Sequence, residues 1–127
     1  MNALHPLLLV ALGGALGSMA RYAGAAAVAR LAPSAFPWGT LAVNILGSFL
    51  IGVAMVLLMK AGEWRESARL LLVTGIMGGF TTFSSFSWET WKLVEDGRLA
   101  WAGANVLASV ALCLFATMAG ALLARQF

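Results

Sequence analysis

Three short interruptions, at residues 31–36, 60–69 and 92–98, divide an otherwise apolar chain into four long stretches. A helix needs roughly 20 apolar residues to cross the hydrocarbon of a bilayer. Each stretch has that length, and spans are expected at about 4–29, 37–59, 70–91 and 99–124. Of the 127 residues 61% are hydrophobic and 10% charged, which is a membrane composition. No interruption is long enough to hold a soluble domain. The expected product is an all-α membrane protein. It is one four-helix transmembrane domain over 1–127, multi-pass in the inner or plasma membrane of the cell.

The net charge of +3 is small, and the positive residues sit mostly at stretch ends. They read as interface anchors rather than as a nucleic-acid surface, so no nucleic-acid partner is expected. A single cysteine, Cys113, excludes an intrachain disulfide and a CxxC motif. No Lys or Arg precedes Arg21, so the opening apolar run is expected to be a retained span, not a secretory signal. His5, beside Pro6, is given no role.

The third stretch is unlike an ordinary membrane helix. From Thr74 to Thr90 it reads TGIMGGFTTFSSFSWET. Gly75, Gly78 and Gly79 weaken a helix just before Thr81 and Thr82, and Phe83, Ser84, Ser85, Phe86, Ser87 and Glu89 follow. Free backbone groups cost several kcal/mol in hydrocarbon, so irregular backbone survives only where protein or a water-filled cavity covers it. The third helix is therefore expected to break in mid-membrane beside a polar site.

Polar positions elsewhere admit two readings each. Arg21 either snorkels to the interface or places a positive charge at the mouth of an aqueous vestibule. Asn44 shares a face of the second span with Thr40, Gly47, Ser48 and Ile51. It is either interhelical glue or a pore-lining amide. Asn105, Ser109, Cys113 and Thr117 recur every four residues on the fourth span, which raises the case for a polar pathway there. Phe83 and Phe86, three apart, either pack a core or turn their positive ring edges toward one path. The donors on offer are amide N–H, hydroxyl and ring edge, and they suit a small anion. Carbonyls freed by the break would suit a small cation.

The charges say little about orientation. Lys60, Arg65, Arg69 and Arg125 fall on one side of the membrane; Arg30, Lys92, Arg98 and, if it snorkels that way, Arg21 fall on the other. Orientation follows Lys/Arg asymmetry, so near balance predicts insertion both ways. Two opposed copies would pair as an antiparallel homodimer, and symmetry would give two equivalent pathways.

Three segments together resemble a known family. They are GGALGSMARY (Gly13–Tyr22), WGTLAVNILGS (Trp38–Ser48) and GGFTTFSSFSWET (Gly78–Thr90). The chain resembles the Fluc (CrcB) fluoride channel family over its whole length. The resemblance implies a channel, not an enzyme: a dual-topology, antiparallel homodimer with two pores that conduct fluoride passively out of a microbial cell. By resemblance, Phe83 and Phe86 match the aromatic pair that meets fluoride edge-on, and Asn44 the amide that bonds it. Thr82, Ser85 and Ser109 match hydroxyl positions of the polar track, Arg21 a positive position near the vestibule, and Glu89 a carboxylate near the far end of the third helix. Gly78 and Thr81 match the positions whose backbone carbonyls, from both subunits, hold a structural sodium ion. Cys113 departs from the serine often found in the fourth-helix track, and a thiol is the weaker donor.

Two other functions compete with this one. A small multidrug-type exporter of lipophilic cations would need a carboxylate within the membrane to exchange proton and drug, and Glu89 is the single candidate in the four spans. A helical scaffold would explain the small-residue faces but not the cluster around Thr81, Thr82, Phe83 and Phe86.

Overall fold

The computed structural model describes residues 4–63 and 65–127; residues 1–3 and Trp64, within the expected 1–127 domain, lie outside the described residues. Helix α1 spans Leu4–Leu31 and α2 spans Trp38–Met59. A short α3, Arg65–Ala68, leads directly into a π-helical stretch, Arg69–Met77. One further turn, α4 (Gly78–Phe80), ends the first half of the third span, and α5 (Phe83–Glu95) forms the second half. Helix α6 spans Leu99–Ala124. Among the described residues, four segments are long and apolar enough to cross a membrane: Leu4–Leu31, Trp38–Lys60, Arg65–Glu95 and Leu99–Ala124.

Two differences from the sequence expectation concern the third span. The expected bounds are 70–91, but helical backbone extends from Arg65 to Phe80 and again from Phe83 to Glu95. Part of the charged second interruption is thus helical. There Arg69 grips Glu66 three residues earlier, with Nη2 2.8 Å from Oε1, a pairing that holds an exposed helical turn. The second difference is the role of the glycines. Gly75 is π-helical, and Gly78 and Gly79 are α-helical. The backbone leaves the helix only after them, at Thr81 (φ −93°, ψ 158°) and Thr82 (φ −151°, ψ 117°). What Gly75 and Gly79 provide is close approach to α1. A Cβ on Gly75 would meet the backbone of Gly13, and one on Gly13 would meet the backbone of Leu71 and Gly75. Membrane helices associate through such packing because lipid offers no hydrophobic drive between them.

The packing order follows. Helix α2 lies chiefly on α6, and α1 lies on the π-helical stretch, α4 and α2. Helix α5 leans on α6. Few large side chains are buried; Leu41, Val43, Leu58, Phe80 and Leu93 are the main ones. At one end Phe36 packs on Trp38 (ring centroids 4.6 Å apart) and on Trp101 (6.2 Å), while Arg98 sits 5.1 Å above the Trp101 ring. The first and third connections therefore share one end of the bundle. Aromatic and basic residues gathered there suit a membrane–water interface.

Candidate functional site

The site is built around one extended residue. In extended backbone the N–H and C=O of a residue point to the same side, where a matching donor and acceptor can bond both. Asn44, reaching across from α2, does this for Thr82. Its Oδ1 accepts the Thr82 N–H at 2.8 Å, and its Nδ2 donates to the Thr82 carbonyl at 3.0 Å. The amide thus stands in for a strand partner, and one of its two N–H hydrogens is unused in this pairing. Thr82 is also the N-cap of α5, its Oγ1 accepting the Ser85 N–H at 3.1 Å. Thr is a favoured cap because the hydroxyl satisfies a donor that the helix start leaves free. The Thr82 hydroxyl in turn donates to Ser85 Oγ at 3.1 Å, so that bond does not consume the Ser85 hydrogen.

These bonds leave carbonyls behind. In a continuous helix the N–H of Thr82 would serve Gly78, and that of Ser85 would serve Thr81. Here both go elsewhere, to Asn44 Oδ1 and Thr82 Oγ1. The Gly79 carbonyl is taken up by Arg21, whose Nε donates to it at 2.9 Å. Arg21 is thus held inward by the third span, half-buried, rather than free along the helix surface.

Two cavities meet at Thr82. The larger, about 530 Å³, includes Arg21, Thr40, Thr82, Ser85, Glu89 and Lys92 in its lining. It also contains Asp96, so its charges are mixed: Arg21 and Lys92 against Glu89 and Asp96. Glu89 is fixed through Oε1, which accepts from Thr40 Oγ1 at 2.7 Å, while its buried Oε2 has no partner among the described residues. The smaller cavity, about 320 Å³, is lined by Asn44, Ser48, Gly78, Thr81, Thr82, Phe83 and Cys113, among others. Phe83 is 79% exposed and its ring meets that of half-buried Phe86, with centroids 5.3 Å apart and planes tilted by 48°.

The sequence-predicted residues therefore fall into groups. Arg21, Thr82 and Ser85 line one cavity; Asn44, Gly78, Thr81, Thr82 and Phe83 line the other; Phe86 touches Phe83. Ser109 lines neither of the two and belongs to a separate network. It donates to Asn105 Oδ1 at 3.4 Å, Asn105 Nδ2 donates to Thr90 Oγ1 at 2.9 Å, and Thr90 Oγ1 donates to the Phe86 carbonyl at 2.7 Å. The four-residue stripe on α6 is thus divided in use. Asn105 is buried against α5, and Thr117 donates to the Ser48 carbonyl of α2 at 3.0 Å. Thr90 was missed from sequence; its one signal was the spacing of four from Phe86, common to many helical threonines.

Comparisons with known proteins bear on this geometry. A family described as CrcB-like protein, Camphor Resistance (CrcB), matches residues 8–121. Proteins named Fluoride-specific ion channel FluC are similar over nearly the full length. That of Geobacter sulfurreducens is 54% identical over 120 residues, covering 94% of this chain and 97% of its own. That of Hahella chejuensis is 49% identical over 119 residues, covering 94% of each. That of Sphingopyxis alaskensis is 48% identical over 127 residues, covering 99% of this chain and 98% of its own.

Proposed function

The chain belongs to the CrcB family, and from that membership we propose that it is a fluoride-specific ion channel. It is a multi-pass protein of the bacterial cell membrane, and it passes fluoride down its gradient out of the cell. The observation that carries the reading is the two-residue break at Thr81–Thr82. Asn44 braces it from outside, and it opens directly onto the Phe83–Phe86 pair.

The chemistry suits the ion. Fluoride is small and holds its water tightly. A pore must replace that water with several donors, yet bind loosely enough for the ion to leave. Around the break the donors are uncharged: the second Asn44 N–H, the Ser85 hydroxyl and the edges of two rings. The start of α5 adds its share, since the first N–H groups and dipole of a helix favour an anion there. In this reading the break lies in mid-membrane, and Arg21 at the wall of the larger cavity draws anions inward.

The working unit is an antiparallel homodimer with two pores, its two-fold axis in the membrane plane. Two features support it: the near balance of Lys and Arg between sides, and a smaller cavity bordered by the exposed Phe83. The same assembly has a place for a structural sodium ion. The Gly78 and Thr81 carbonyls have lost their usual helical donors, and carbonyl oxygens are hard ligands for a hard cation. Those carbonyls from both copies would hold it, as a fixed positive charge at the axis. No observation favours the exporter of lipophilic cations; Glu89, the carboxylate it would need, is tied to Thr40.

Purified protein in liposomes tests the reading. With no proton gradient, an ion electrode should register fluoride release down its own gradient and no comparable chloride release. Equal release of both ions, or none of either, would overturn it.

A further inference from the structure

Gly47 stands apart from the other close-packed glycines. Gly17, Gly52 and Gly120 face the backbone of a neighbouring helix, where a Cβ would force two helices apart. A Cβ on Gly47 would collide first with a side chain, the methyl of Thr81, and would stand 3.1 Å from the Phe80 ring. Thr81 is the first residue to leave the helix, and Gly47 lines the smaller cavity beside Asn44, Thr81, Thr82 and Phe83.

The Thr81 methyl has little freedom to yield. The Thr81 hydroxyl donates to the Met77 carbonyl at 2.9 Å, the same oxygen that accepts the Thr81 N–H at 3.0 Å. The two substituents of a β-branched side chain turn together about one bond. With the hydroxyl held on Met77, the methyl is held over Gly47. Three residues earlier, on the same face of α2, Asn44 bonds both the N–H and the C=O of Thr82. Helix α2 thus holds two consecutive residues of the break by different means: Thr82 through an amide, Thr81 through a missing side chain.

We infer that Gly47 is a positioning residue for fluoride passage: its bare Cα seats the Thr81 methyl and so fixes the course of the chain into Thr82, within reach of Asn44. The inference rests on the fluoride-channel reading. Gly47→Ala would push Thr81 away from α2, stretch the Asn44–Thr82 pairing and disturb the start of α5.

Moving one methyl across the contact tests it. Gly47→Ala adds a methyl, Thr81→Ser removes one and keeps the hydroxyl, and the double variant conserves volume, the kind of swap that packing tolerates best. Two quantities are read: fluoride release from liposomes, and hydrogen exchange at the Thr82 amide, which is bonded to Asn44. Gly47→Ala should slow release and speed that exchange several-fold, by about tenfold at most, the factor that one hydrogen bond carries. Exchange within α2 and α6 should keep its wild-type rate. Thr81→Ser should show a milder form of both effects, and the double variant should return both toward wild type. If Gly47→Ala does not fold alone, Thr81→Ser and the double variant still decide, because adding Gly47→Ala must then slow exchange at Thr82. A Gly47 that serves helix packing alone would, once changed, loosen α2 together with the break and gain nothing from Thr81→Ser. That result, or wild-type release and exchange in Gly47→Ala, overturns the inference while leaving the channel reading intact. A wild-type protein that releases no fluoride overturns the channel reading and this inference with it.

Discussion

The start of α5 and the polar stripe of α6 use the same kinds of side chain to opposite ends. On α6, Asn105 and Thr117 spend their donors on neighbouring helices. At the start of α5, Asn44 spends a donor on the Thr82 carbonyl, and the Thr82 hydroxyl donates to Ser85 Oγ, so Ser85 keeps its own hydrogen. A polar residue in a membrane helix thus has no fixed meaning. Where the backbone is already paired, it joins helices. Where the backbone has come apart, it holds the opening and leaves neighbouring donors unspent.

Substitutions can break or sharpen that contrast, and Asn44→Ala should have the largest effect. It strips both backbone partners from Thr82, and each unpaired buried group costs about 1–3 kcal/mol. Detergent unfolding should show a loss of about 2–4 kcal/mol, and fluoride release from liposomes should disappear. If stability holds, Asn44 is a pore ligand alone and not the brace.

Phe83→Ile or Phe86→Ile should come next. Both keep apolar bulk and remove the ring edge, an interaction of about 0.5–1.5 kcal/mol. Fluoride release should fall by about tenfold for each while cross-linking still detects the proposed dimer. Wild-type release from both variants would reduce the ring pair to packing.

Arg21→Gln removes a charge from the larger cavity and the donor to Gly79. Release should slow several-fold, with the deficit shrinking at high salt as the field of the missing charge is screened. A deficit that ignores salt would leave Arg21 as a brace only. The smallest effect belongs to the stripe. Thr117→Val should cost about 0.6 kcal/mol of unfolding stability, typical of one interhelical bond in a membrane, with release unchanged.

Some of this was legible in the residues. Two charged interruptions and one marked by Pro33 announce four membrane helices, and the segments around Gly13–Tyr22, Trp38–Ser48 and Gly78–Thr90 announce the family. The π-helical stretch was not legible, because RLLLVTGIM would serve an α-helix as well. Nor was the true work of Gly75 and Gly79, since flexibility and close packing ask for the same residue; the structure sets both against α1. The chain from Ser109 through Asn105 and Thr90 to Phe86 joins residues of two helices, and a pattern read along one helix cannot show which neighbour receives a bond.

Thiol labelling tests the contrast most directly. In a Cys113→Ser background, Ser85→Cys and Thr117→Cys are each exposed to a small water-soluble thiol reagent while fluoride release is followed. The open start of α5 requires that Ser85→Cys reacts and that its release is blocked, whereas Thr117→Cys, held between α6 and α2, stays unlabelled and conducting. An inert Ser85→Cys beside a labelled and blocked Thr117→Cys would place the path along the stripe and contradict the account.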